Sequence, residues 1–169
     1  MSSYKNIQDI LNVVWNDEDL LRLLTYEPKR LSKEKLDPLD PSLDNILDKD
    51  IEELWNIRDD KIMLTPKDDD LINKRKCRLF VYLGDRNPDR GNYYAAKQLA
   101  TFDILVHSDF ENGDMRTTRI GDRLNELFAL RHVAGFGKID YVRGRGINRT
   151  PSQYVGYQHV YNFTVMKQC

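Results

Sequence analysis

CRLFVYLGDRNPDRGNYYAAKQLATFDILVH, residues 77–107, and YVGYQHVYNFTVM, residues 154–166, decide the fold. Both stretches alternate apolar and polar side chains with the period of a half-buried strand. Cys77, Leu79, Val81 and Leu83 share one face, and Arg78, Phe80 and Tyr82 share the other. Gly84 ends this run, and Asp85 to Asn92 is a dense turn cluster that leaves Tyr93 and Tyr94 exposed. A second strand spans Leu99 to His107, with Phe102, Ile104 and Val106 against Thr101, Asp103, Leu105 and His107. The link between the two is long for a hairpin, so its tip should project. In 154–166, Val155, Tyr157, His159, Tyr161, Phe163 and Val165 oppose Gly156, Gln158, Val160, Asn162 and Thr164. A strand this long with aromatics on one face is a sheet centre or a subunit contact.

Working outward, Met115 to Leu130 reads as an amphipathic helix. Ile120, Leu124, Leu127 and Phe128 fall on one stripe, and Arg116, Arg119 and Arg123 form a basic stripe beside it. Asn112-Gly113 is the turn before it, Asp114 its N-cap, and Gly135 and Gly137 its stop. Lys138 to Arg145 is a further strand, with Ile139, Tyr141 and Arg143 on one side and Val142 on the other. Residues 76–169 therefore predict a ββαββ core. The expected class is α+β, a two-layer sandwich of a four-stranded sheet covered by one amphipathic helix.

Residues 1–28 read as an N-terminal helical segment, broken near Asn16, with Asp17 capping the leucine-rich stretch 18–24. Residues 29–75 read as an extended acidic linker or arm, with a short helix after Asp50, and residues 29–70 of it are expected to be dispensable for folding though needed for assembly. The charge is polarised. Residues 1–70 hold 18 Asp and Glu against 10 Lys and Arg, a balance of −8, while 71–169 hold 9 against 16, a balance of +7. Such halves attract each other or the opposite halves of neighbouring copies.

Composition removes several classes. Hydrophobic residues are 40% and charged residues 31% of the 169, and no apolar run reaches the roughly 20 residues of a membrane span. The first residues lack the form of a secretion signal. Two cysteines, Cys77 and Cys169, fit reduced thiols of an intracellular product better than a disulfide scaffold. Asp103, His107 and Asp109 lack the further ligands of a metal site. Gly144 to Arg149 lacks the third glycine and the helix of a phosphate loop, and neither Ser152 nor His159 sits in a nucleophile motif. The expectation is no enzyme, no cofactor and no metal. A small enzyme using Asp103 and His107 is the minor alternative.

What remains is surface chemistry. Arg116, Arg119, Arg123, Arg145, Arg149, Tyr157 and Tyr161, with Arg86, Arg90 and Tyr93 from the projecting loop, are the candidate interface. Arginine and tyrosine suit protein contacts, and they also suit nucleic acid. The alternative reading is accordingly a nucleic-acid-binding α+β domain using the basic C-terminal half.

The residues 100–108, the helix from Arg116 to Leu130, the strand near Tyr141 and the final strand 156–165 together resemble the tail terminator, or head–tail joining, proteins of bacteriophages. That resemblance implies a virion structural protein made in the host cytoplasm. It implies self-assembly into a ring, usually a hexamer, that caps the tail tube and docks on the neck connector below the portal. Genomic DNA would pass through the lumen unread. The long acidic leader departs from the family pattern.

Overall fold

The computed structural model describes residues 2–28 and 35–167. Helix α1 (Ser3–Trp15) buries Ile10, Leu11 and Val14, the stripe its 3.6-residue spacing requires. Helix α2 (Glu18–Thr25) begins where Asp17 accepts from the Leu20 N–H at 2.8 Å. Leu20, Leu21, Leu23 and Leu24 are all buried, so this helix is enclosed on nearly every side. Helix α3 (Ile51–Lys61), capped by Asp50, runs directly into strand β1 (Ile62–Met63). Strands β2 (Cys77–Pro88) and β3 (Ala95–His107) form a long hairpin. Helices α4 (Ser108–Asp114) and α5 (Arg116–Phe128) follow, then strands β4 (Phe136–Ile147) and β5 (Tyr154–Met166).

The five strands form one mixed sheet in the order β1-β2-β3-β5-β4. β1 is parallel to β2, and every other pair is antiparallel. The α+β class is as the alternation predicts, but the sheet has five strands rather than four. The extra strand comes from the segment read as an arm: Ile62 lies opposite Leu79 and Met63 opposite Phe80. The single covering helix is also corrected. Five helices are present among the described residues, and Ile10, Leu21, Phe110, Ile120 and Leu124 carry α1, α2, α4 and α5 into one core over one sheet face. Cys77, Leu79, Val81, Phe102, Ile104, Val106, Tyr161, Phe163 and Val165 supply the sheet side of that core.

The other sheet face is covered only in part. Leu71, from the acidic segment, plugs a second small cluster with Phe80, Leu105 and Tyr154. The acidic segment is therefore built into the domain. Ile46, Leu54 and Ile62 lie in the main core and Leu71 in the second. The burial of Ile46, Leu54 and Ile62 runs against the expectation that residues 29–70 can be removed without loss of the fold; residues 29–34 of that range lie outside the described residues.

Local differences have identifiable causes. Asn112-Gly113 is helical rather than a turn, and the break falls at Met115, which is left-handed at φ 53°. Asp114 does not cap α5. The Glu111 carboxylate does that work, accepting from the Thr117 N–H at 2.8 Å and its hydroxyl at 2.7 Å. α5 stops at Phe128, and the Leu130 N–H donates to the Ile139 carbonyl at 2.7 Å, hooking the chain onto β4. Gly135, at φ +65°, is required where a Cβ would sit 2.3 Å from the Thr164 carbonyl. Register shifts in β4 lie between Phe136 and Asp140 and between Tyr141 and Arg143. The second shift puts Arg143 opposite Val160, on the other face from Tyr141, which opposes Tyr161.

Leu124 is fully buried at the centre of the α5 stripe. Leu124→Asp places a charge there and should cost about 4 kcal/mol or more, enough to abolish the cooperative thermal transition. An unchanged melting temperature by circular dichroism contradicts this packing.

Candidate functional site

The basic stripe of α5 points inward, at the N-terminal segment. Arg116 is fully buried. Its guanidinium donates to the carbonyls of Leu23 and Tyr26, the latter at 2.8 Å, and to the Asp114 carboxylate at 2.8 Å. Arg119 makes a two-pronged pair with Asp37 at 2.9 and 2.7 Å. Arg123 does the same with Asp17, at 2.9 and 2.6 Å. Asp17 thus caps α2 and anchors α5 with one carboxylate. Its hydrogen bonds, together with Glu126, hold the Arg123 guanidinium well above its ordinary basicity.

Two more arginines repeat the pattern at the start of β2. Arg75 grips Glu27 at 2.7 Å and Asp109 at 2.8 Å. The fully buried Arg78 donates to the Asp60 carbonyl at 3.0 Å and to the Asp70 carboxylate at 2.7 Å. Lys76 adds a contact to Asp60 at 2.6 Å. The Arg78 hydrogen bond pulls the Asp70 carboxyl below its usual range. The −8 and +7 halves of the sequence therefore meet within one copy. Arg116 is removed from any interface by its burial, and Arg119 and Arg123 are committed to carboxylates. Tyr161, a second candidate contact, is also fully buried, with its hydroxyl hydrogen-bonded to Asn125.

The other candidates lie elsewhere. Arg86 donates to the Met166 carbonyl, Arg90 is exposed at the β2–β3 tip, and Tyr93 is 82% exposed with Lys167 over its ring. β2 and β3 stay paired as far as Pro88 and Ala96, so the projecting tip is shorter than the turn cluster suggests. Arg143, Arg145 and Arg149 lie exposed on β4 and the link to β5, with Lys138 at the start of the same strand. None of these four forms an ion pair with a carboxylate among the described residues.

A polar row crosses the partly open sheet face. The Tyr82 hydroxyl and the Gln158 amide each donate to Asp103 at 2.7 Å, and Arg145 donates to Gln158 at 3.0 Å. Burial and the Asp103 carboxylate push the Tyr82 hydroxyl up. Asp103, Arg145, Ile147, Arg149 and Gln158 line an open cleft of about 350 Å³. Asp103 is thus a hub joining three strands. His107, on the same face, bonds instead to Gln153 at 3.2 Å and accepts from the Asp109 N–H at 3.2 Å. The two do not converge, and among the described residues no group of three His, Cys, Asp or Glu side chains is placed to hold a metal ion. Burial pushes the Cys77 thiol up to about 12, the environment of packing rather than of a nucleophile. Cys169 lies outside the described residues.

On the helix side, Thr117, Thr118, Gly121, Asp122, Tyr157 and His159 line a cavity of about 230 Å³. The His159 ring rests against Gly121, where a Cβ would come within 2.4 Å of Nε2. Its Nδ1 is buried without a hydrogen-bond partner among the described residues, and burial lowers its basicity. Tyr141, Tyr157 and Tyr161 surround it at 5.9, 5.1 and 6.4 Å between ring centroids.

Burial of Arg116 makes a clear contrast with Arg143. Arg116→Ala leaves Asp114 with only the longer Arg119 contact, removes the donor to two carbonyls, and should cost about 3–5 kcal/mol. Arg143→Ala should stay within about 0.5 kcal/mol. Chemical denaturation of the two variants checks this, and equal losses contradict the placement of the two side chains.

Two comparisons with known proteins bear on the chain as a whole. The YomW family matches residues 17–163, from the Asp17 cap through Phe163. The SPbeta prophage-derived uncharacterized protein YomW of Bacillus subtilis (strain 168) is 31% identical over 169 residues, covering 94% of each chain. The match takes in the acidic segment as well as the sheet, as the ion pairs between them lead one to expect. The chain belongs to the YomW family, a phage-related family.

Proposed function

We propose that this chain is a ring-forming structural component of a bacteriophage neck or tail, a tail terminator or head–tail joining protein. In this reading it caps the tail tube and meets the connector below the portal. It works in the virion after synthesis in the host cytoplasm, and it carries no reaction and needs no cofactor. Its partners are copies of itself, a hexamer as in the resembled proteins, together with the tail tube protein and the connector. DNA passes through the lumen without being read. Membership of a phage-related family supports the setting.

One observation carries the reading. After internal pairing has consumed the α5 arginines, the outermost strand, β4, keeps three exposed cations and three exposed apolar groups among the described residues. Lys138, Arg143 and Arg145 stand there beside Phe136, Tyr141 and Val142, all exposed. β4 is 12 residues long and pairs on one side only. An arginine- and tyrosine-bearing edge of this kind is contact surface.

The same arginines favour the nucleic-acid reading at a changed place, Arg143, Arg145 and Arg149 rather than α5. The two readings separate by experiment. Mass photometry and negative-stain microscopy of the purified chain should give closed rings. Isolated globules at every concentration, with salt-sensitive DNA retardation lost in Arg143→Ala/Arg149→Ala, would favour nucleic-acid binding instead.

A further inference from the structure

We infer that the β4 edge of one copy docks on the outward face of α3 in the next copy. The inference rests on the self-assembly reading above and names the surface that completes it.

α3 turns Leu54 and Arg58 inward and leaves Ile51, Glu52, Trp55 and Asp59 outside. Ile51 is 71% and Trp55 41% exposed, although Trp55 is already held edge-on by Trp15 at 5.4 Å and beneath Arg58 at 4.7 Å. Its ring is therefore fixed in place while still open on one side. A rigid, half-open tryptophan beside an exposed isoleucine is a contact surface in search of a cover. Glu52 and Asp59 flank it, and neither has a cationic partner among the described residues.

The position of this face matters as much as its chemistry. α3 leads directly into β1, the edge strand at the far side of the sheet from β4. The chain thus bears an acidic face with a half-open tryptophan on the helix leading into one edge strand, and at the other edge a strand whose Lys138, Arg143 and Arg145 outnumber its one acid, Asp140. Among the described residues Lys138 and Arg143 on β4 pair with no carboxylate, and Glu52 and Asp59 pair with no cation. Two different, complementary patches on opposite edges make a head-to-tail contact, which closes into a ring or runs on as a filament. Charge complementarity sets which patch meets which and in what register.

Strand-to-strand pairing is the obvious competing geometry, and the edges are built against it. β1 has two residues, β2 is irregular between Leu83 and Arg86, and β4 has two register shifts. Bulges and charged side chains at edges block strand addition. The contact is therefore one of side chains, helix face against strand edge.

Charge reversal tests it. Lys138→Glu/Arg143→Glu and, separately, Glu52→Lys/Asp59→Lys touch exposed side chains and should leave the melting temperature near its original value. Each pair alone should weaken assembly about tenfold or more at low salt, measured by sedimentation velocity. The chain carrying all four reversals should regain most of it. Unchanged assembly in both pairs, or no recovery in the fourfold variant while it remains folded, overturns the α3–β4 contact and leaves ring formation standing. An unaltered chain that stays monomeric throughout overturns the self-assembly reading itself, and this contact with it.

Discussion

The structure depends on arginines that carry the C-terminal half onto the acidic N-terminal half. Arg116, Arg119 and Arg123 leave α5 at the spacing that places them on one helix face. There they meet α2 and the segment after it: the carbonyls of Leu23 and Tyr26, the Asp37 carboxylate and the Asp17 carboxylate. Arg78 reaches the residues on either side of β1 from the sheet. A planar guanidinium that fits a carboxylate with two parallel bonds fixes orientation as well as proximity. Buried pairs of this type add little net stability over apolar packing, but each becomes costly once one partner is lost. Their effect here is to give the helical layer one position over the sheet.

That arrangement shapes the surface left for partners. The arginines most prominent in the sequence are spent internally, so the outward positive charge moves to β4 and its link to β5. Among the described residues, Glu52 and Asp59, on the α3 helix that leads into the opposite edge strand, have no cationic partner. The cleft over Asp103 and the cavity at His159 are features of the two sheet faces, and the polar row from Tyr82 to Arg145 ties β2, β3, β5 and β4 together beneath the first of them.

The strands, the α5 stripe and the Asp17 cap were legible because each rests on local periodicity or capping chemistry. Phe102, Ile104 and Val106 face the helices as their alternation predicts. β1 was not legible, because two residues carry no period, and Ile62-Met63 takes its identity from β2 beside it. The destination of Arg116 was hidden for a similar reason: a basic stripe looks the same whether its partners are solvent, another molecule or a distant carboxylate. Asp103 read as one polar residue among several on a strand face, and only the register of β2, β3 and β5 brings Tyr82 and Gln158 to it. The face of Arg143 was misread because a bulge at Val142 reverses alternation without a glycine or proline to announce it. A surplus of acid in one half and of base in the other was the one signal of the arginine pairs, and it left open whether they form within a copy or between copies.

Native-state hydrogen exchange tests the central claim most directly. If arginine pairing makes the helical layer and the sheet one unit, amides of α2 and α3 should exchange with the same free energy as those of β3 and β5, close to that of global unfolding. Exchange of α2 and α3 through a separate, lower-energy opening, with the sheet still protected, would show the N-terminal segment to be an appendage and contradict the account.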